Sequence, residues 1–345
     1  MKGRNGYTVI ELLVAAAVFL AATGGVFRLL DDGVGRSALW NEAADLHQRA
    51  RIGVEALSSA ISPAGAGGDA TPLASYLATV EPRRRPSGAA SPVAITVRYA
   101  PDNAPRSTLT SALLPGAAVI PIARHDGCPD GTTACGFRPD MNVLVFDRAG
   151  NWDTVTVETI APDTLMVSDR PVPRTVSYEA GADVIQVTET TLYYEPSDGT
   201  LRREYAGASN LPLLDNVVDL QFAYFGDPYP PVAPRPPAGV ANCLYDAAGS
   251  RVPLPTLSAD HGALAGLPLA MLSDGPMCGS GATAYDVDLL RIRKLRVVFR
   301  LQAGVSMLRG SDPRLFARPG SARASHRMLP DQSLRLAFSP RNLQR

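Results

Sequence analysis

Lysine is almost absent from this chain of 345 residues: it occurs only at Lys2 and Lys294, and acidic and basic residues balance at 33 each. A net charge of zero produces no overall field that would attract nucleic acid or an anionic membrane surface. Because the other basic residues are arginines, and alanine and proline are abundant, a genome-wide codon bias explains the composition as readily as arginine-specific chemistry does. No nucleic-acid partner is expected.

Catalytic and nucleotide-binding motifs are also missing. The sequence has no Gly-x-Ser-x-Gly turn, no His-Glu-x-x-His helix and no phosphate-binding loop. Its four histidines, His47, His125, His261 and His326, stand apart from one another and belong to no recognisable motif. We therefore do not expect an enzyme.

Metal-binding spacings are equally scarce. Asp286 with Asp288, and Asp126 with Asp130, are candidate calcium ligands, but neither pair has the spacing of a known calcium loop. Aspartates are also common in exposed turns without any ion. The sequence thus predicts no cofactor, and calcium is the one ion that these pairs leave open.

The most informative part of the chain is its N-terminus. Residues 1–6 form a short basic leader that ends at Gly6, and residues 7–30 are nearly all apolar. At 1.5 Å per residue this apolar segment reaches roughly 36 Å, enough to cross a bilayer core. Since Lys2 and Arg4 precede it, the positive-inside rule places the leader in the cytoplasm and the rest of the chain outside the inner membrane.

One glutamate, Glu11, interrupts the apolar segment and needs a partner, because a carboxylate at membrane depth is costly. Gly6, Tyr7 and the following Thr-Val-Ile-Glu-Leu-Leu resemble the class III signal of type IV prepilins. The resemblance implies that a prepilin peptidase cuts between Gly6 and Tyr7 and methylates the new amine. It also implies that Glu11 meets the N-terminal amine of a neighbouring subunit and sets register in a filament. The alternative is a plain signal anchor that tolerates a glutamate.

Residues 31–62 continue the helix in amphipathic form, and Pro63 with the glycines after it ends the pattern. Residues 31–35 predict a kink or a melted turn between the two halves. We expect one long helix, with its first half in the membrane or filament core and its second half packed on a globular domain. Its apolar stripe is Leu39, Ala43, Leu46, Ala50, Val54, Leu57 and Ile61.

Residues 63–345 predict an exported, β-rich and mostly antiparallel domain, so the fold class is α+β. Alternating patterns predict strands at 93–99, 142–147, 153–160, 164–168, 184–195, 201–205, 218–224, 289–301 and 333–338. Around residues 226–286 a proline-rich excursion interrupts them; it is either a contact surface for another pilin or an insertion without a partner.

Strand 289–301 carries five basic residues, Arg291, Arg293, Lys294, Arg296 and Arg300. Its apolar parity flips near Arg293, which a β-bulge would explain. A DNA-binding face is one interpretation of these residues. No aromatic residues alternate with them on the outward face, so we interpret them as solvent-facing strand residues.

Four cysteines form two local pairs, Cys128 with Cys135 and Cys243 with Cys278. No Cys-x-x-Cys pair is present, as a zinc site would need. Outside the cytoplasm disulfides are the expected state, although other pairings remain open. The second pair would close the proline-rich excursion.

The C-terminal half loosely resembles the large PilW-type minor pilins, through residues 214–222, 224–228 and 340–343. That resemblance implies a low-abundance structural subunit in the tip or priming complex of a type IV pilus, contacting major and minor pilins through its N-terminal helix. A GspJ-like pseudopilin of type II secretion, in a periplasmic pseudopilus, is the first alternative. Alternatives of other classes are a pilus-tip adhesin or DNA-binding module and a signal-anchored periplasmic enzyme.

Overall fold

A computed structural model describes residues 8–67, 72–84, 90–168, 176–205 and 209–344 of the chain. They form the expected α+β fold: a long N-terminal helix followed by a β-rich, mostly antiparallel region. The chain divides into two compact units. The first takes its described residues from Met1–Ala50 and Leu301–Gln332, and the second from Arg51–Arg300 and Ser333–Arg345.

Helix α1 (Val9–Ile61) is continuous over 53 residues, about 80 Å at 1.5 Å per residue. The kink or melted turn expected at residues 31–35 is not a break in the helix, because helical structure continues through Gly33 and Gly35. Pro63 follows the last turn, where its missing amide hydrogen prevents further helix.

The remaining elements are short. One-turn 3-10 helices lie at Leu73–Ser75, Gly281–Thr283, Val287–Arg291, Ser306–Leu308, Ser325–Arg327 and Arg341–Leu343. The strands, in chain order, are β1 (Val80–Arg84), β2 (Ala90–Tyr99), β3 (Arg106–Thr108), β4 (Val119–Pro121), β5 (Asn142–Phe146), β6 (Trp152–Ala161), β7 (Thr164–Ser168), β8 (Asp183–Gln186), β9 (Thr188–Glu195), β10 (Thr200–Tyr205), β11 (Ser209–Leu214), β12 (Val217–Gly226), β13 (Ala265–Leu267), β14 (Met277–Cys278), β15 (Tyr285–Asp286), β16 (Ile292–Leu301) and β17 (Gln332–Phe338).

Two sheets organise the second unit around the end of α1. One has the order β1-β2-β9-β10-β11 and the other β13-β12-β16-β17, and β12 contacts β2 and β9. On the helix, Leu57 and Ile61 are fully buried. A Cβ at Gly53 would lie 2.9 Å from the Phe299 ring and 3.1 Å from Leu214, so only glycine permits this close approach.

A small β-barrel is inserted between β2 and β9. Six strands run in the order β3-β8-β5-β6-β7-β4, and the two outer strands meet each other. The amide of Ala123 donates to the carbonyl oxygen of Thr108 (2.8 Å), and Leu109 forms an antiparallel bridge with Ile122. The sheet therefore closes on itself around its own apolar core, which includes Val143, Val155, Val157, Leu165, Tyr178 and Val184.

A buried arginine joins this barrel to the five-stranded sheet. Arg98 of β2 pairs with Glu189 of β9 (2.6 Å) and Glu81 of β1 (3.1 Å). Its guanidinium also lies 4.2 Å from the centre of the Trp152 ring on β6. Charge pairing and a cation–π contact thus hold the barrel against the sheet.

Two predicted strands have different bounds in the structure. The run at 184–195 is two strands, β8 in the barrel and β9 in the five-stranded sheet, separated at Val187. The run at 289–301 begins as a 3-10 helix, Val287–Arg291, and becomes β16 only at Ile292. The parity flip near Arg293 lies within β16, where Ile292 and Leu295 are both buried and Arg293 and Lys294 stand between them.

In the first unit, Arg49 connects α1 to the segment after β16. Its guanidinium contacts Glu42 and Asp45, each at 2.8 Å, and donates to the carbonyl oxygen of Gln302 (3.1 Å). The Glu42 carboxylate also accepts the amide hydrogen of Gly304 (2.6 Å). Charge-assisted bonds of this kind fix the segment on the helix.

Candidate functional site

The first part of α1 is long and apolar enough to span a membrane. Residues Val9–Phe27 have a mean hydropathy of 2.2, and none of the 19 is buried. Large side chains such as Leu12, Phe19 and Leu20 are 67%, 70% and 69% exposed. An exposed apolar helix of this length is consistent with a single membrane span.

Glu11 lies in the first turn of α1, where it forms a capping box with Thr8. The Glu11 amide donates to the Thr8 hydroxyl (3.3 Å), and the Glu11 carboxylate accepts from the Thr8 amide (3.0 Å) and hydroxyl (3.1 Å). This reciprocal pair satisfies amide hydrogens that helix geometry leaves free, and a carboxylate there also complements the helix dipole. Both bonds from Thr8 end on one carboxylate oxygen of Glu11, and a carboxylate can accept further hydrogen bonds through the other.

The capping box was accessible from sequence. The signature of a capping box is Thr-x-x-Glu ahead of an apolar run, and residues 8–11 have it. The cost of a carboxylate in the membrane does not by itself predict this local role of Glu11. The other processing residues, Gly6 and Tyr7, lie outside the described residues, as do Lys2 and Arg4.

Both expected disulfides are present in the second unit. Cys128 is bonded to Cys135 and Cys243 to Cys278, with Cα separations of 4.5 and 4.8 Å. The second bond closes most of the excursion, which also docks on the turn between β5 and β6. There the Ser280 hydroxyl donates to the Asn151 side chain (2.9 Å), and the Thr283 hydroxyl donates to the carbonyl oxygen of Trp152 (2.5 Å).

Removing Cys243–Cys278 should destabilise the protein more than removing Cys128–Cys135, because the two bonds close loops with sequence separations of 35 and 7. Loop-closure entropy gives about 4 kcal/mol for the longer loop and about 2 kcal/mol for the shorter one. Thermal unfolding of the two double serine variants tests this order. A larger loss for the Cys128/Cys135 variant would contradict it.

Arg291 is the centre of a buried cluster, which corrects its predicted solvent-facing position. Its side chain has no exposed surface and pairs with Asp288 at 2.5 Å. It also donates to the carbonyl oxygens of Pro228 (2.9 Å) and Pro255 (2.8 Å) in the excursion. Proline has no amide hydrogen, so a segment rich in it has few donors for its own carbonyls. Arg291 supplies donors to both ends of that stretch.

The candidate calcium pair Asp286 and Asp288 belongs to the same cluster. One oxygen from each of Asp274, Asp286 and Asp288 lies within 4.8 Å of the others. The Asp286 carboxylate accepts the amide hydrogens of Gly275 (2.5 Å) and Asp288 (2.8 Å). Burial raises the pKa of Asp288, and the Arg291 guanidinium opposes that rise. Arg291 thus pairs with Asp288, and Asp274 and Asp286 place further carboxylate oxygens beside it.

The second candidate pair, Asp126 and Asp130, is exposed: Asp130 lies in the loop closed by Cys128–Cys135, and Asp126 lies two residues before it. Among the described residues, neither belongs to a group of three metal ligands. The nearest such group is His125 with Cys128 and Cys135, and its cysteines are already bonded to each other. A disulfide sulfur is a poor metal ligand because the thiolate form is absent.

The basic strand offers less positive surface than its sequence suggests. Arg291 is buried, and Arg293 is half-buried with its guanidinium donating to the carbonyl oxygens of Leu290 (2.9 Å) and Ile292 (3.0 Å). Arg296 is exposed and covers the Phe225 ring at 4.8 Å. An exposed aromatic platform for nucleic-acid bases is not found on this strand in the described part of the chain.

No protein-family model matches this chain, and no curated protein matches it significantly. Functional inference for the chain consequently depends on its own residues and their geometry.

Proposed function

We propose that this chain is a minor pilin: a low-abundance subunit that its N-terminal helix holds in the inner membrane before assembly into a type IV pilus. The observation that carries the proposal is the unburied apolar segment Val9–Phe27, capped by Thr8 and Glu11, at the start of a 53-residue helix. An apolar helix surface of this kind can contact lipid while the subunit is held in the membrane, and can pack against neighbouring helices once the subunit is in a filament.

The apolar surface beyond the span favours a filament subunit over a plain anchor. Leu29, Val34 and Trp40 are 75%, 69% and 71% exposed on α1, and Trp40 lies 13 residues after Phe27. At 1.5 Å per residue that is about 20 Å further along the helix, outside the hydrocarbon of a bilayer that Val9–Phe27 already spans. Exposed tryptophan is typical of protein contact sites, so partner helices are the better explanation.

A minor rather than a major role follows from the bulk of the exported region. It carries an inserted barrel and a disulfide-closed excursion besides its two sheets. A subunit of this size is hard to repeat along a close-packed filament, which favours the tip or priming complex. Quantitative mass spectrometry of sheared pili should find the chain at a small fraction of the major subunit. Finding it as the main component would contradict the minor role, and recovery only in a periplasmic pseudopilus would favour the type II secretion alternative.

Processing at Gly6 gives the most direct test. The mature chain purified from membranes should begin at N-methylated Tyr7, as read by mass spectrometry of the N-terminal peptide. Replacing Gly6 by leucine should leave the leader attached and keep the chain out of pili. The matched control is Gly3→Leu, which changes another leader glycine and should be processed normally. A mature chain that begins after residue 20 would contradict the proposal.

A further inference from the structure

A pocket of about 550 Å³ lies in the second unit, on the outside of the barrel. Arg106 of β3 and Ile185 of β8 are directly paired, and both contribute to its wall. The neighbouring Val184 points into the barrel core, so Ile185 and Arg106 face outward. The loop closed by Cys128–Cys135 forms the opposite side of the pocket.

Hydrogen bonds and the disulfide hold this loop in one conformation. The His125 ring is within 2.7 Å of the Arg106 carbonyl oxygen through Nε2, and its Nδ1 accepts the amide hydrogen of Gly127 (3.0 Å). The Thr132 hydroxyl also donates to the carbonyl oxygen of Pro129 (2.7 Å). The pocket is therefore preformed, which lowers the entropy cost of binding.

Two arginines, Arg106 and Arg138, line the pocket, and none of its described lining residues is an aspartate or a glutamate. Asp183 holds Arg106 at 2.8 Å through one nitrogen. Arg138 is exposed and forms no ion pair with any described residue, so its guanidinium is available to a ligand. Flat apolar surface from Pro105, Pro129 and Met141 completes the wall.

We propose that this pocket binds a small organic anion through carboxylate or phosphate oxygens, with Arg138 as the principal ligand-binding residue and Arg106 as a second cation fixed in place. Guanidinium groups bind both kinds of oxyanion through paired N–H donors. The volume falls within the range of small-molecule sites, roughly 300–1,000 Å³. This ligand site is independent of the helix and of the proposed filament role.

Titration calorimetry on the full-length chain in detergent micelles tests the site with citrate and inorganic phosphate, and with glycerol as a neutral control. We expect saturable binding of one anion per chain and none of glycerol. Tighter binding of citrate would identify a carboxylate ligand, and tighter binding of phosphate a phosphorylated one.

The variant Arg138→Gln should weaken anion binding at least about tenfold, the loss of one charge-assisted pair. The matched control is Arg124→Gln, because Arg124 is exposed in the same connection between β4 and β5 but does not line the pocket. This variant should bind as the wild type does. Thermal unfolding shows whether each variant remains folded. The proposal is overturned if neither anion binds at about 10 mM, or if Arg138→Gln binds as well as Arg124→Gln.

Discussion

Replacing Glu11 by glutamine is expected to remove the chain from assembled pili while leaving its helix and its membrane insertion intact. Glutamine can retain the capping box, since its side-chain oxygen accepts from Thr8 as the carboxylate does. Glutamine cannot form the ion pair with a neighbouring subunit's amine that the proposed pilin role assigns to Glu11. Breaking one partner of a buried ion pair typically costs about 3–5 kcal/mol, so recovery in sheared pili should fall more than tenfold.

The Thr8→Val variant is the matched control for Glu11→Gln. It removes the hydroxyl that accepts from the Glu11 amide at 3.3 Å, while the charge of Glu11 remains. We expect it to reach the pilus at near wild-type levels, because the loss of one cap costs only about 1 kcal/mol. If Thr8→Val were excluded from pili and Glu11→Gln incorporated normally, Glu11 would be a helix cap and not a register determinant.

The second large effect is expected at Arg291, where Arg291→Met should loosen the excursion. This substitution leaves the Asp288 carboxylate, only 8% exposed, without its cation. It also removes the Arg291 donor from the carbonyl oxygens of Pro255 and Pro228, the second of which still accepts from the Leu257 amide (2.9 Å). An uncompensated buried charge costs about 3–5 kcal/mol. We expect a lower unfolding temperature in micelles and faster tryptic cleavage after the exposed Arg251.

Two further variants make the Arg291 prediction specific. Arg335→Met applies the same chemical change to an exposed residue of β17 and should alter neither measurement. Arg291→Met combined with Asp288→Leu removes both charges and should recover part of the lost stability, because an apolar pair replaces a buried ion pair with little net cost. A double variant no more stable than Arg291→Met would show that the carbonyl contacts, not the ion pair, dominate.

Local signals in the sequence predicted those elements whose partners lie nearby along the chain. The β5–β6 hairpin is an example: Asp147 accepts the amide hydrogens of Ala149 (2.8 Å) and Asn151 (3.0 Å), and such turn chemistry is visible in the sequence. The helix and its end at Pro63 follow from the same kind of signal.

Contacts between distant segments account for what the sequence did not predict. Residues 184–195 have a strand pattern throughout, but they form β8 in the barrel and β9 in the five-stranded sheet. This division depends on closure of the barrel, in which the Ala123 amide donates to the Thr108 carbonyl oxygen. Alternation places Arg291 outward, yet its partners Pro228 and Pro255 are 63 and 36 residues away. The anion pocket combines residues from β3, β8 and a disulfide loop for the same reason, and no local motif marks it.

The position at which the barrel joins the five-stranded sheet makes it an exchangeable part of the protein. Tyr99, the last residue of β2, is paired directly with Thr188, the first residue of β9. The chain thus leaves the sheet and re-enters it at adjacent points, so a short turn joining these two residues would preserve the register of β2 and β9. Insertions with closely spaced ends are well tolerated. The barrel, together with the pocket on its outer surface, is therefore a module that can be gained, lost or replaced without altering helix α1.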